Sequence, residues 1–289
     1  MREPAVDSGF REGLFRSQDD LPLYWRDYGH PASSRTPVLC LAGLTRNSKD
    51  FDLLAREICR DRRVLAPDYR GRGRSARDPD WRHYRPDTYL ADILDMLTVA
   101  GVHRVVVIGT SMGGLLAMGL AAFRPTMLAG VILNDVGPEI AGPGFQRILH
   151  YIGTDRPEPS WDGAIAELKR MFPALSLNTD EQWRRMADAS YRRGADGILH
   201  FDWDVTLARN LGSRPGQLPD LWALYRALGS RPVLAIRGGL SDVLSEATFE
   251  RMAQVKPDLQ RVVVPNVGHV PALDEPEAAA AIHEFIARF

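Results

Sequence analysis

The sequence predicts an α/β fold in which a mostly parallel, doubly wound sheet is covered by helices. Short β-branched apolar runs recur along the chain, and most are continuous rather than alternating, as expected of strands buried on both faces. Longer segments with helical periodicity separate these runs. Strand–helix alternation of this kind favours parallel pairing, because each helix carries the chain back to the start of the next strand.

The position of each element follows from these runs. Strands are expected at residues 38–42, 64–67, 105–109, 130–134, 233–237 and 262–264. Helices are expected at residues 50–60, 88–100, 112–123, 245–255 and 275–289. The stretch LFRSQDDLPLYWRDYG differs, because its polar turn QDD separates two short strand-like runs and predicts a leading antiparallel hairpin.

The alternation stops between residues 138 and 230. This span holds helical patterns, many aromatic residues and several glycines and prolines, but no convincing parallel strand. The strand rhythm resumes at PVLAIRGG. We therefore expect one α/β core formed by residues 1–137 and 231–289, with residues 138–230 inserted as a helical segment.

The composition indicates a globular protein and argues against nucleic-acid binding. The chain has 289 residues, 45% of them apolar, and a formal net charge of -1. Cys40 and Cys59 lack the spacing of a metal or redox motif, so reduced thiols are expected. No apolar stretch approaches the roughly 18 residues of a membrane span, and the charged N-terminus lacks the apolar region of a secretory signal. We expect a soluble, cytoplasmic protein that does not bind membranes.

The segment GTSMGG, at residues 109–114, is the strongest chemical signal. It fits the pattern G-x-S-x-G between a predicted strand and a predicted helix, which is the context that this motif requires. A sharp strand–helix turn would force Ser111 into a strained positive-φ conformation and project its hydroxyl above the sheet. Gly109 and Gly113 would let the backbones pass closely. Ser111 is the predicted nucleophile; the alternative is an ordinary serine that caps the helix.

A serine nucleophile needs a base, and His269 is the predicted one. It follows the last predicted strand in NVGHVPALDEP, on the sheet edge where the carboxyl ends of all parallel strands meet. A loop imidazole that caps the final helix is the alternative. The other six histidines lie inside predicted helices, in the inserted segment, in turns or before a strand: His30, His83, His103, His150, His200 and His283.

A carboxylate must orient the imidazole, and two aspartates compete for that role. Asp242, in RGGLSDVLS, follows the strand that directly precedes the one leading to His269, and we favour it. Asp135, in GVILNDVG, also ends a strand on the same edge and is the rival. A purely structural role for Asp242 would be to cap the helix that begins near Ser245.

Two backbone N–H groups are needed to bind a tetrahedral oxyanion. The Met112 N–H, at the start of the helix that follows the nucleophile, is one candidate. The Leu44 N–H, in the loop AGLTRNS, is the other, because Gly43 permits a close approach. Arg46 could reach the same site, although a solvated loop arginine is the simpler interpretation.

These residues together resemble a serine hydrolase of the α/β-hydrolase superfamily, over essentially the whole chain. Besides GTSMGG, the turn PDYRGRGRS at 67–75 is similar to the superfamily's D-x-R-G-x-G-x-S segment, and GHVPALDEPE at 268–277 resembles its histidine loop and last helix. The resemblance implies a carboxylesterase-like enzyme whose residues 138–230 form a helical cap over the active site. Ala42 departs from the histidine that many relatives have there, but the donor in that loop is a backbone N–H.

No cofactor and no metal are expected. GRGRS lacks the last glycine of a dinucleotide-binding loop, Leu115 stands where a P-loop lysine would be, and no H-E-x-x-H motif occurs. The aromatic residues of the inserted segment favour a small-molecule ester with an apolar group as substrate. Hydrolysis of a lactone or a C–C bond, acyl transfer or perhydrolysis, and ligand binding without catalysis are the alternatives. We expect a monomer or a homodimer.

Overall fold

The computed structural model describes residues 9–172, 175, 177–212 and 220–289. Residues 1–8, which carry most of the charged N-terminus, lie outside this range, as do parts of the inserted segment. The strands of the described residues are β1 Arg11–Arg16, β2 Pro22–Tyr28, β3 Val38–Leu41, β4 Val64–Asp68, β5 Val105–Thr110, β6 Leu128–Asn134, β7 Tyr191–Arg193, β8 Leu199–Phe201, β9 Val233–Gly238 and β10 Gln260–Val264.

Eight of these strands form one sheet in the order β1-β2-β4-β3-β5-β6-β9-β10. The pairs β1–β2 and β2–β4 are antiparallel, and the remaining pairs are parallel. Strands β3 to β6 are buried along their whole length, which explains their continuous apolar sequences. The predicted doubly wound sheet, its six parallel strands and its leading hairpin are confirmed.

The α-helices of the described residues cover the sheet and fill the inserted segment. They are α1 Asp52–Ile58, α2 Pro86–Val99, α3 Met112–Phe123, α4 Gly142–Ile152, α5 Trp161–Met171, α6 Asp180–Ser190, α7 Ala208–Gly212, α8 Leu221–Arg226, α9 Glu246–Val255 and α10 Pro276–Ile286. Local sequence sets several starts: Pro86 and Pro276 occupy the first position of their helices, and the Ser245 hydroxyl accepts a hydrogen bond from the Thr248 N–H. Ser245, rather than Asp242, therefore caps α9.

Helices α4 to α8 lie between β6 and β9, where the strand alternation of the sequence is interrupted. The same span contains β7 and β8, which form a separate antiparallel pair that periodicity did not predict. Three residues per strand are too few to produce a recognisable alternating pattern. We refer to the described part of residues 138–230 as the inserted segment.

Both cysteines are free thiols, with Cys40 buried in β3 and Cys59 partly exposed after α1. Within the described residues, no helix has the length and apolar character needed to cross a bilayer.

Candidate active site

Ser111 occupies the turn between β5 and α3. Its backbone has φ 51° and ψ -116°, a left-handed conformation that is strained for any residue with a side chain. A Cβ on Gly109 would lie 2.5 Å from the Gly113 carbonyl oxygen, and one on Gly113 would lie 2.0 Å from the Leu41 carbonyl oxygen. The two glycines therefore permit the close crossing of β3, β5 and α3 that holds Ser111 in this strained conformation.

His269 lies in the loop after β10 and contacts Ser111 directly. Its Nε2 is 3.1 Å from the Ser111 Oγ, and its side chain is only 8% exposed. The other ring nitrogen, Nδ1, is 2.7 Å from the Asp135 Oδ2. Because an ionised carboxylate can only accept, Nδ1 carries the proton of the neutral ring and Nε2 is free to accept the Ser111 hydroxyl proton.

Asp135 is fully buried directly after β6, also with a positive φ of 54°. Its Oδ1 accepts a hydrogen bond from the Gly238 N–H at 2.8 Å, and its Oδ2 accepts one from the Ser241 hydroxyl at 2.6 Å. With the His269 contact, the carboxylate has three hydrogen-bond donors around it. These donors compensate for its removal from water, so the anion can persist beside the imidazole. Sequence reasoning did not single out Gly238 or Ser241.

The structure contradicts the choice of Asp242 as the acid that contacts His269. Strand β6 lies between β5 and β9 in the sheet, so the residue that follows β6 is the one beside the Ser111 turn. Asp242 instead lies beyond β9 and forms a two-point ion pair with Arg147 of α4, at 2.9 Å for both contacts. This Arg147 contact lowers the pKa of Asp242. The β9 loop supplies hydrogen-bond donors to Asp135 rather than the acid itself.

The two predicted backbone donors, Leu44 and Met112, belong to chain segments that meet at Ser111. Among the described residues, neither the Leu44 N–H nor the Met112 N–H has an intramolecular acceptor. Gly43 brings the Leu44 loop close, since a Cβ at Gly43 would be 3.9 Å from the Ser111 Cβ. Arg72, from the turn at 67–75, donates from Nε to the Leu44 carbonyl oxygen at 2.6 Å and fixes the loop's orientation. Such an arrangement can hold an oxyanion above Ser111.

The loop that carries Leu44 is also tied to the end of α6. The Arg46 guanidinium pairs with Asp50 and donates to the Ser190 hydroxyl, so Arg46 is not a solvated loop side chain. Asn47 donates to the Ala189 carbonyl at 2.9 Å, and the Lys49 ammonium donates to the Asp188 carbonyl at 2.7 Å. These contacts satisfy carbonyl groups that the last turn of a helix leaves free.

A cavity of about 350 Å³ lies over Ser111 and His269. The α/β core and the inserted segment both contribute to its walls, which are apolar over much of their area. The inserted segment contributes Ile148, Tyr151, Phe172, Leu175, Leu177 and Met186. The cavity can therefore bury a small, partly apolar molecule against Ser111.

A family model of the alpha/beta hydrolase family matches residues 38–282. The chain belongs to the alpha/beta hydrolase family. This match includes the Ser111 turn, Asp135 and the His269 loop. The predicted superfamily membership and fold are thereby confirmed.

Two curated relatives of this alpha/beta hydrolase are named as hydrolases. A 3-hydroxybutyrate-oligomer hydrolase of Cupriavidus necator is 34% identical over 272 residues, covering 91% of this chain and 92% of that protein. A 2-(acetamidomethylene)succinate hydrolase of Mesorhizobium japonicum is 26% identical over 251 residues, covering 86% and 87%. The crystal structure of an alpha/beta hydrolase from Novosphingobium aromaticivorans is 41% identical, with a TM-score of 0.91 and coverage of 97% and 99%. The chain is accordingly a hydrolase.

One group of side chains in the hydrolase has the composition of a metal site but a different role. Asp19, Asp78 and His83 bring potential ligand atoms together near the start of the turn at 67–75. The Arg70 guanidinium lies among them, with contacts of 2.8 Å to Asp19 and 2.6 Å to Asp78. A cation of the protein itself thus already neutralises these carboxylates, and the group is best described as a partly buried ion-pair network, in which Arg70 and Asp78 are buried and Asp19 is exposed.

Proposed function

We propose that this hydrolase cleaves carboxylic esters, with Ser111 as nucleophile, His269 as general base and Asp135 as the acid that orients His269. The observation that carries the proposal is the continuous hydrogen-bonded chain from the Ser111 Oγ through both ring nitrogens of His269 to the Asp135 carboxylate. The same combination of side chains performs acyl transfer on several unrelated folds.

In the proposed reaction, His269 Nε2 takes the Ser111 proton while the Oγ attacks the ester carbonyl. The Leu44 and Met112 N–H groups stabilise the oxyanion, and His269 returns the proton to the leaving alcohol. An acyl-enzyme remains, which a water molecule hydrolyses by the same steps in reverse. Asp135 keeps Nδ1 protonated and stabilises the imidazolium that forms in each half-reaction.

We propose short oligoesters of a hydroxy acid as the substrate class. The support is the name of the relative that is 34% identical over nearly the whole chain, a 3-hydroxybutyrate-oligomer hydrolase. A cavity of about 350 Å³ suits a few repeat units of a small hydroxy acid. We further propose that the inserted segment acts as a cap over this cavity, since it supplies much of the apolar wall.

Hydrolysis of p-nitrophenyl acetate, butyrate, octanoate and laurate tests the activity and sizes the cavity. We expect turnover to fall on the order of 10⁴- to 10⁶-fold in Ser111→Ala. Covalent labelling by a fluorophosphonate probe should be lost in the same variant. Ser33→Ala, at a partly exposed serine whose hydroxyl donates to the Asp61 carbonyl and accepts from the Arg35 N–H, is the matched control and should behave as wild type. Undiminished hydrolysis by Ser111→Ala would contradict the proposal.

A lactone or C–C bond hydrolase with the same residues is the second candidate. Its support is the relative named 2-(acetamidomethylene)succinate hydrolase, since that protein shows that relatives of this chain act on substrates other than simple esters. Turnover of a lactone panel without turnover of any ester would favour this alternative.

The unpaired thiols Cys40 and Cys59 support the cytoplasm as the location that we propose.

A further inference from the structure

A second, more open cleft of about 610 Å³ adjoins the active-site cavity, and we call it the basic vestibule. Five cationic side chains and two carboxylates, Asp52 and Asp188, contribute to its lining. The lining therefore carries a net charge of +3, whereas the whole chain carries -1. The cations are Arg26, Lys49, Arg56, Arg184 and Arg185.

The carboxylates nearby do not neutralise all of these cations. Asp52 is shared between Arg26 and Arg56. Lys49 and Arg185 each have an acidic neighbour, Asp188 at 3.5 Å and Glu181 at 2.7 Å. The Arg184 side chain, exposed on α6, forms no hydrogen bond and no ion pair with any described residue. An unneutralised guanidinium in a cleft of net positive charge favours the binding of an anion.

The vestibule shares part of its wall with the active-site cavity. Lys49, Asp52 and Arg185 line both. Charge distinguishes the two spaces, since the lining of the active-site cavity includes equal numbers of cationic arginine and lysine residues and of carboxylates. A molecule that extends from one into the other would therefore place an uncharged part near Ser111 and an anionic part in the vestibule.

We propose that the basic vestibule binds the free carboxylate end of the oligoester while an internal ester lies against Ser111. This inference rests on the proposed function and narrows its substrate class to esters that carry an anionic end. Arg184 is the specificity-determining residue in this proposal, and its guanidinium can bind the carboxylate through two parallel hydrogen bonds.

The test compares one ester in two charge states. A linear trimer of 3-hydroxybutyrate is offered as the free acid and as its methyl ester, and kcat/KM is measured for each at low and at 0.5 M NaCl. We expect wild type to prefer the acid at low salt. Arg184→Glu should lower the acid-to-ester ratio about threefold to tenfold, because an exposed charge pair is worth up to roughly fivefold and charge reversal adds repulsion. High salt should reduce the wild-type preference.

Arg104→Glu is the matched control. Arg104 is exposed just before β5, at the opposite edge of the sheet from Ser111, so this variant changes the net charge equally without touching the vestibule. Its acid-to-ester ratio should equal that of wild type. Equal ratios for Arg184→Glu and wild type, or an equal drop for Arg104→Glu, would overturn the proposal.

A binding measurement separates this proposal from the proposed function. Calorimetry with Ser111→Ala protein compares the Kd of the trimer acid with that of its methyl ester, with and without Arg184→Glu. Tighter binding of the acid that disappears with Arg184→Glu supports the vestibule even if wild type hydrolyses neither compound. Equal Kd values refute it even if wild type hydrolyses both.

Discussion

Replacing Asp135 with asparagine tests the assignment of the acid more directly than any other change. In the native protein the Oδ1 atom accepts from the Gly238 backbone N–H, and the Oδ2 atom faces His269 and the Ser241 hydroxyl. An asparagine has one acceptor oxygen for these donors. The Gly238 N–H cannot turn away, so the oxygen must stay there and the NH₂ must face His269 and Ser241.

The consequence is a change of tautomer. The Ser241 oxygen already accepts from the Val243 and Leu244 N–H groups, and its hydroxyl loses the acceptor that it has in the native protein. His269 Nδ1 can accept from the new NH₂ only if its proton moves to Nε2. With Nε2 protonated, His269 can no longer take the Ser111 proton. We therefore expect kcat to fall about 10³- to 10⁴-fold, or roughly 4–5.5 kcal/mol of transition-state stabilisation.

Asp242→Asn provides the comparison. Its ion pair with Arg147 is partly solvated, with side chains 37% and 31% exposed, so we expect a change within about fivefold. Both variants are assayed with p-nitrophenyl butyrate after their thermal unfolding midpoints have been compared with wild type. The reasoning is refuted if Asp242→Asn is the more damaging change, or if Asp135→Asn keeps more than about a tenth of wild-type kcat.

Two further predictions concern stability. Gly113→Ala would place a Cβ 2.0 Å from the Leu41 backbone oxygen in the centre of the sheet, so we expect the free energy of unfolding to fall by at least about 1–3 kcal/mol, visible as a lower thermal midpoint. Gly142→Ala is the control, because a Cβ there would have nothing within 4 Å. Equal thermal midpoints for the two variants would contradict the argument. Burial raises the pKa of Asp202 to about 6, so its folded form is favoured when protonated, and this stability is lost as pH rises through 6. In urea unfolding, the difference in free energy of unfolding between Asp202→Asn and wild type should therefore shift in favour of the variant by up to about 3 kcal/mol from pH 4 to pH 7. A difference that does not change with pH would refute the raised pKa.

The sheet and the Ser111 turn could be predicted from the sequence because local patterns determine both. The buried strands β3 to β6 have no solvent-facing side, so their sequences are uninterrupted apolar runs. The strained Ser111 turn needs glycines at fixed positions, and these are visible as GTSMGG. In both cases the physical requirement falls on residues that are adjacent in the chain.

The sequence favours Asp242, whereas Asp135 is the aspartate that contacts His269, because this contact depends on how distant segments are arranged. Asp135 and Asp242 both follow strands on the same edge, and only the lateral order β5-β6-β9 shows which one lies beside Ser111. Asp242 forms its ion pair with Arg147, which is 95 residues away in the chain. The hydrogen bond from Ser241 to Asp135 spans 106 residues, and no short motif records it.

We expect the attachment of α6 to the Leu44 loop to couple substrate size to the proposed catalysis. Arg46, Asn47 and Lys49 bind the last turn of α6, so an outward push on that helix would be transmitted to the neighbouring Leu44 N–H. An acyl group too large for the cavity would then misalign the oxyanion donor as it entered. Such a substrate would bind and yet turn over slowly, so the enzyme would reject it at kcat rather than at KM.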